Sequence, residues 1–356
     1  MRYIYYITPI VFFVKKHIIY TVNTRIIKME IALQIVLLVA GFILLIKGAD
    51  WLVSGASSIA SHFKVSKQLV GLTIVAFGTG APELAVSISS LASGNTDMLL
   101  GNVMGSNILN ILLLIGIAAL IHPIQIKKST ISKELPLLLL ISTAMVILFL
   151  DVGIAGADSN TFSRGDALIC VLLFAVFVYY IISMVHQNRN DKNAVEKPQY
   201  KLWLSFVFAG LGLVGVVIGS QLVVNSASTL AEMVGISDRI IALTIVAFGT
   251  SLPELITTIT AARRHENELL VGNIIGSNIF NICIVLGLPV AIFVTITPGS
   301  FELLDIIMMI GSSAILWMVA KRGESGEHGV IRRSEGFLML IIFAVYYGYI
   351  IYGALI

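Results

Sequence analysis

Residues 72–84 read LTIVAFGTGAPEL, and residues 243–255 read LTIVAFGTSLPEL. The offset is 243 − 72 = 171 residues. Both copies place a proline and then a glutamate inside an otherwise apolar run. Proline in a helix interior removes one hydrogen bond and clashes with the carbonyl four residues back. Gly78 and Gly80 loosen the first copy further. The sequence therefore predicts two broken helices, with freed carbonyls near 76–80 and 247–251. In each, the second half-helix begins at Pro82 or Pro253, a position that proline favours. Irregular backbone of this kind is tolerated inside a membrane only where protein or a wet cavity surrounds it.

The match extends outward at the same offset. Gly101-Asn102 pairs with Gly272-Asn273, GSNILN at 105–110 pairs with GSNIFN at 276–281, and half of the positions between 71 and 110 are identical without a gap. The register reaches back to Gly41/Gly212 and Gly48/Gly219 and forward to Glu134/Asp305. The chain is thus a tandem duplication. Its best-matched residues include polar ones, which a duplication that merely enlarged a bundle has no reason to keep.

Composition places the duplication in a bilayer. The 356 residues are 57% hydrophobic and 12% charged, with a mean hydropathy of +0.96, whereas soluble domains carry about 25% charged residues. An ordinary soluble enzyme and a disordered chain are both excluded. A membrane-spanning helix needs about 20 apolar residues. Ten such segments are expected, at 31–60, 67–93, 98–121, 134–150, 166–185, 202–231, 238–262, 269–293, 302–320 and 336–355. The fold class read from this is an all-α membrane protein of ten transmembrane helices.

Basic residues orient the segments. The connections after the first, third, fifth, seventh and ninth hold Lys64, Lys67, Lys127, Lys128, Lys133, Arg189, Lys192, Lys197, Lys201, Arg263, Arg264, Lys321, Arg322, Arg332 and Arg333. Those after the second, fourth, sixth and eighth hold only Arg164 and Arg239. The positive-inside rule puts the first group in the cytoplasm, with both ends of the ten-helix unit outside. Each repeat holds five helices, an odd number, so the second enters the membrane from the opposite face. Inverted repeats of this kind are typical of secondary transporters, whose ion sites lie near the midplane between the repeats. The units are a first repeat at 29–186 (motif 71–111), a cytoplasmic linker at 187–201 and a second repeat at 202–356 (motif 242–282). Residues 1–28, with Arg2, Lys15, Lys16, Arg25 and Lys28 on the expected outer side, fit no span. They form an extension ahead of Met29, where we expect translation to start.

Glu83 and Glu254 follow the two prolines. A charge at a helix centre costs about 2.5–3.5 kcal/mol on insertion scales, so two at repeat-equivalent positions point to a cation site. Thr79, Thr250 and Ser251 add hydroxyls. Ser106 with Asn110, and Ser277 with Asn281, sit at i, i+4 on one face of a helix each. All of these donors are oxygens, with no Cys or His among them, which suits hard cations such as Ca²⁺ and Na⁺. Cys170 and Cys283 lie in apolar runs and read as core residues. Lys47 and Asp50 are spaced to pair within the first helix. Glu134 and Asp305 favour helix starts, and the histidines after His17 fall near the expected cytoplasmic loops and helix ends and read as solvated. Tyr346, Tyr347, Tyr349 and Tyr352 read as an interfacial belt and packing.

GTGAPE at 78–83 and GTSLPE at 249–254, with GSNILN and GSNIFN one helix later, resemble the paired alpha-repeats of the cation/Ca²⁺ exchanger superfamily. The sodium/calcium antiporters of bacteria and archaea are the branch most alike. The resemblance covers the chain from Met29 onward and implies ion ligands at Thr79, Glu83, Ser106, Asn110, Thr250, Ser251, Glu254, Ser277 and Asn281. It also implies Ca²⁺ and Na⁺ as transported ions, a prokaryotic inner (plasma) membrane, and no cofactor. This chain departs from the family in two places. Members often carry aspartate where Asn281 stands, and the hydroxyl of Ser251 has no counterpart at Gly80. The expected function is Ca²⁺/Na⁺ antiport by alternating access. Ca²⁺/H⁺ antiport, favoured by the missing third carboxylate, and a cation channel are the alternatives. No nucleophile–base pair marks an enzyme, no basic patch marks a nucleic-acid binder, and the only evident partners are the ions and the lipid bilayer. Intact mass of the purified protein tests the start at Met29: a mass lacking residues 1–28 is expected, and one that includes them removes the idea.

Overall fold

The computed structural model describes the chain except residues 1–3, 93, 95, 153–158, 189–197, 235–246, 294, 298–302, 325 and 356. It is helical, in the order α1 (Ile4–Phe63), α2 (Lys67–Thr79), α3 (Ala81–Ala92), α4 (Thr96–Ile121), β1 (Ile124–Lys127), α5 (Thr130–Phe149), α6 (Arg164–Asn188), α7 (Leu202–Met233), α8 (Ala247–Thr250), α9 (Leu252–Arg263), α10 (Asn267–Ile292), α11 (Leu303–Arg322), β2 (His328–Ile331) and α12 (Arg333–Leu355). Among the described residues eight helices are long and apolar enough to cross a membrane, and α2 with α3, bent by 42°, supplies a ninth. The expected segment at 238–262 has its first half outside the described residues. The helix α1 begins at Ile4, well before the expected span at 31–60.

Two helices form the centre. The most apolar stretch of α10 is 94% buried and that of α4 is 72% buried, against 11–33% for α1, α6, α7, α11 and α12. Those five therefore give most of their surface to lipid, which explains their many exposed Leu, Ile, Val and Phe residues. In hydrocarbon such residues satisfy the environment, and helix association falls to close packing and polar contacts.

Between α1 and α7 that packing is a seam of small residues. Gly41 meets Leu222 and Val223, Gly48 meets Gly212, Gly215 and Val216, and Gly55 meets Ser205 and Ala209, so the two helices run antiparallel. A Cβ at Gly212 would stand 2.3 Å from the Leu52 backbone nitrogen, and one at Gly219 2.6 Å from that of Leu45. Only hydrogen fits there. Near one end the Ser205 hydroxyl donates to Ser58 Oγ at 2.8 Å.

The connections that carry the basic residues meet at one end of the bundle. His62 Nε2 lies 2.7 Å from the Tyr200 carbonyl. Lys67 pairs with Glu266 at 2.9 Å, Lys127 with Glu268 at 2.8 Å and Lys128 with Glu324 at 3.3 Å. Strand β1 pairs antiparallel with β2, Ile124 opposite Ile331 and Lys127 opposite His328. The other connections meet elsewhere: Phe162 bridges to Ile296, and Arg164 Nη2 donates to the Phe293 carbonyl at 2.6 Å. The grouping read from lysine and arginine is thus the grouping the fold makes.

Several side chains find partners other than those expected. Asp50 pairs with Arg264 at 2.9 Å rather than with Lys47, and Arg264 also donates to Ser54. Glu134 is fully buried and accepts from the Tyr180 hydroxyl, and Asp305 accepts from Tyr346 at 2.9 Å. Both acids tie the starts of α5 and α11 to a tyrosine on another helix, which supplements the helix dipole. Tyr346 is correspondingly buried, while Tyr349 and Tyr352 face outward. The rings of His122 and His265 lie edge to face, 4.3 Å apart between centroids, so these two are not simply solvated. Cys170 and Cys283 are buried free thiols, as expected of core residues.

Gly212→Val should push α1 from α7, costing at or above the upper end of the ~1–3 kcal/mol typical of overpacking. Gly210→Val on the same helix, where a Cβ meets nothing within 4 Å among the described residues, should be tolerated. Thermal melts followed by size-exclusion fluorescence check the pair. Equal melting temperatures would remove the seam as a structural necessity.

Candidate cation site

The helix breaks fall at Gly80 and Ser251, one residue ahead of the helical turns that contain the prolines. Gly80 has φ −77° and ψ 0°, and Ser251 has φ −90° and ψ 5°. Neither value continues an α-helix. At each break one half-helix ends on a threonine, Thr79 or Thr250, and the next begins with X-Pro-Glu. Negative carbonyl ends of α2 and α8 therefore approach the same region as a glutamate in the first turn of α3 or α9, where the positive end of the dipole supports a carboxylate.

All nine residues expected to hold ions are buried. Thr79 and Ser277 are wholly inaccessible, Glu83, Glu254, Ser251, Asn110 and Asn281 are 1% exposed, and Ser106 and Thr250 are 4% and 9% exposed. Contacts link most of them across the two halves of the chain. The Ser251 hydroxyl donates to Ser106 Oγ at 3.2 Å and lies beside Glu83, while Thr79 lies beside Glu254. The charge of Glu254 acts on Glu83. The Thr79 hydroxyl also lies within donating distance of the Val75 carbonyl, at 3.1 Å. Thr250 and Asn110 join through residues that were not expected: Thr250 Oγ1 donates to Asn102 Oδ1 at 3.4 Å, and Asn110 Nδ2 donates to Asn278 Oδ1 at 3.0 Å. Ser277 and Asn281 lie on the central helix α10 with Ser277 Oγ and Asn281 Oδ1 unpartnered.

Buried polar oxygens are ordinarily hydrogen-bonded, and those that are not call for an explanation. Here they cluster. Glu83 Oε2, both carboxylate oxygens of Glu254, Asn110 Oδ1, Asn107 Oδ1, Ser277 Oγ and Asn281 Oδ1 have no hydrogen-bond partner. All are acceptors. One turn beyond the glutamates, Ser87 and Thr258 are equally buried and unpartnered. Among the described residues neither glutamate forms an ion pair, and no group of three His, Cys, Asp or Glu side chains converges. Two carboxylates among neutral oxygens form a set that a hard cation could complete and a thiophilic metal would not choose.

Backbone geometry also changes at the site asparagines, as it does at Gly71–Val75 and Thr130–Glu134. Wide, π-helical turns begin at Asn110 in α4 (Asn110–Leu114) and at the equivalent Asn281 in α10 (Asn281–Leu286). Such bulges gather at functional sites because they free a carbonyl from the helical ladder. No local sequence signal announces them. Asn102, Asn107, Asn273 and Asn278 were also overlooked as site residues, although each is identical at the 171-residue offset. That identity was the available signal.

Comparison with known proteins follows this geometry. The family model described as sodium/calcium exchanger protein matches residues 33–183 and again residues 204–352, two stretches whose starts differ by 204 − 33 = 171. The inner membrane protein YrbG of Escherichia coli K12 is 36% identical over 274 residues, covering 75% of this chain and 81% of its own. The sodium/calcium exchanger MaX1 of Methanosarcina acetivorans is 29% identical, covering 89% and 98%. Among solved structures, the sodium-calcium exchanger NCX_Mj superimposes with a TM-score of 0.75 at 32% identity, over 88% of this chain and 98% of that one. Two copies of one family model and a matching fold lead to one assignment: the chain belongs to the sodium/calcium exchanger protein family of membrane transporters.

Proposed function

We propose that this protein exchanges Na⁺ for Ca²⁺ by alternating access across a prokaryotic plasma membrane, extruding Ca²⁺ from the cytoplasm. One observation carries the reading. Two glutamates, 1% exposed and without an ion pair among the described residues, sit beside each other's neighbours at two repeat-equivalent helix breaks. Like charges in a low-dielectric site repel unless a cation neutralises them. Ca²⁺ takes six to eight oxygens, and the ligands Thr79, Glu83, Ser106 and Asn110 from one half with Thr250, Ser251, Glu254, Ser277 and Asn281 from the other supply them.

An inverted arrangement of the two halves supports the transport cycle. The equivalent helices α1 and α7 run antiparallel along their seam. Two contacts join a residue to its own counterpart: Ser142 with Ser313 at 3.2 Å, and Asn278 Nδ2 donating to the Asn107 carbonyl at 3.2 Å. A residue that touches its counterpart lies close to the axis relating the halves, and antiparallel equivalents support an axis in the membrane plane. On this reading a rocking motion exposes the site to either side. The unloaded site, carrying two uncompensated carboxylates, resists passage through the closed intermediate. Loaded with one Ca²⁺ or with Na⁺, it passes. That rule gives exchange rather than leak. The lysine- and arginine-bearing end faces the cytoplasm, and both ends of the ten-helix unit face outward.

Proteoliposomes loaded with Na⁺ should take up Ca²⁺ when diluted into Na⁺-free buffer, and matched vesicles carrying only a pH gradient should not. Uptake driven by the pH gradient alone would make the protein a proton-coupled exchanger, and flux without any counter-ion would make it a channel. Glu83→Gln and Glu254→Gln should each reduce Ca²⁺ uptake by ~30-fold or more if each carboxylate contributes the 2–5 kcal/mol of a buried charge contact, while the protein still elutes as a folded species. Retained uptake in both removes the site. Asn281→Asp should tighten cation binding and change the Na⁺ dependence, and unaltered kinetics would exclude Asn281 as a ligand.

A further inference from the structure

The two halves of the site are not equivalent, and the difference traces to two residues. In one half the Ser251 hydroxyl donates to Ser106 Oγ at 3.2 Å and lies beside Glu83. The equivalent positions in the other half are 251 − 171 = 80 and 106 + 171 = 277, that is Gly80 and Ser277. With no hydroxyl at 80, Ser277 Oγ is left without a partner although the residue is wholly buried, and the hydroxyl beside Glu254 is that of Thr79 rather than one at position 80. The space that a side chain at 80 would take is filled. A Cβ on Gly80 would stand 2.9 Å from Phe280 Cδ1 and 3.2 Å from its Cε1. Phe280 in turn is held by Phe77, stacked at 5.1 Å between centroids, and by Phe174, edge-on at 6.3 Å. The residue equivalent to Phe280 is Leu109, which is smaller and not aromatic. A glycine and a phenylalanine in one half thus stand against a serine and a leucine in the other.

We propose that the Gly80–Phe280 pair determines ion selectivity, removing one oxygen donor from the Glu254–Ser277 half and replacing it with an aromatic edge, so that this half holds Na⁺ more weakly than the Glu83–Ser106–Ser251 half. The proposal rests on the exchange reading above. A divalent ion drawing on both carboxylates is less sensitive to one lost hydroxyl than a monovalent ion bound within one half. The pair also has to change together. Serine at 80 collides with Phe280, and leucine at 280 alone opens space without an oxygen.

The test is Na⁺ displacement of radioactive Ca²⁺ from the purified, detergent-solubilised full-length protein, each variant normalised to its Ca²⁺ affinity without Na⁺. Against Phe280→Leu alone, the double variant Gly80→Ser/Phe280→Leu should be displaced at about ten-fold lower Na⁺, the fold-change expected of one added donor to a charged group. Gly80→Ala/Phe280→Leu, which adds the carbon without the oxygen, should match Phe280→Leu. Equal displacement of the serine and alanine doubles overturns the proposal. A second comparison needs no repacking. Ser251→Ala, which removes the hydroxyl that position 80 already lacks, should raise the Na⁺ required by about ten-fold. An unchanged Na⁺ requirement also overturns it. If wild-type protein binds Ca²⁺ and Na⁺ does not displace it at all, the exchange reading itself fails. If Na⁺ displaces it and the paired variants respond alike, only the asymmetry fails.

Discussion

Two carboxylates stand almost fully buried in an apolar bundle, with no basic side chain among the described residues to neutralise either. Placing one charge at the centre of a membrane helix is unfavourable, and placing two side by side adds repulsion. On the exchange reading proposed above, a cation neutralises them for part of the cycle. The helix breaks and the unpartnered oxygens of Asn110, Ser277 and Asn281 are what that reading requires. Together they form an oxygen-rich set that a hard cation could complete.

The scaffold holds these groups by layering. Helices α4 and α10 are the buried centre, and each carries a wide turn that starts at its site asparagine. The two broken helices pass their glutamates and threonines against that centre. Lipid-facing helices close the outside, with α1 and α7 meeting so tightly along a glycine seam that their backbones are in contact. Since lipid is as apolar as leucine, hydrophobic burial cannot drive that association, and shape has to. Ion pairs and the two-stranded sheet at one end then fasten the connections without entering the membrane centre.

Much of this was legible in the sequence. The repeat at 171 residues identified the duplicated unit, proline-glutamate inside apolar runs located the breaks, and lysine and arginine sorted the connections into the two groups that the fold brings together. Periodicity and composition report local requirements, and they indicate the helical membrane class, while the ten expected spans compare with eight or nine among the described residues. Contacts between distant segments were not legible. Nothing near Asp50 indicates that Arg264, rather than Lys47, is its partner, and nothing near Glu134 or Asp305 points to Tyr180 or Tyr346. Asn102 and Asn278 link site residues across the two halves, a role that appears only when the halves are folded together. Spacing rules could have nominated them through their identity at the repeat offset but could not assign the partners. The wide turns at Asn110 and Asn281 have no sequence signature, because they depend on what packs around the helix.

The central claim is that Glu83 and Glu254 belong to one site and hold one Ca²⁺ between them. Equilibrium dialysis of the purified protein against Ca²⁺ measures this directly as the number of ions bound per chain. The account predicts one high-affinity Ca²⁺ per chain, with that single site lost when either glutamate is replaced by glutamine. Two independent Ca²⁺ ions per chain, each lost with its own glutamate while the other remains, would contradict it.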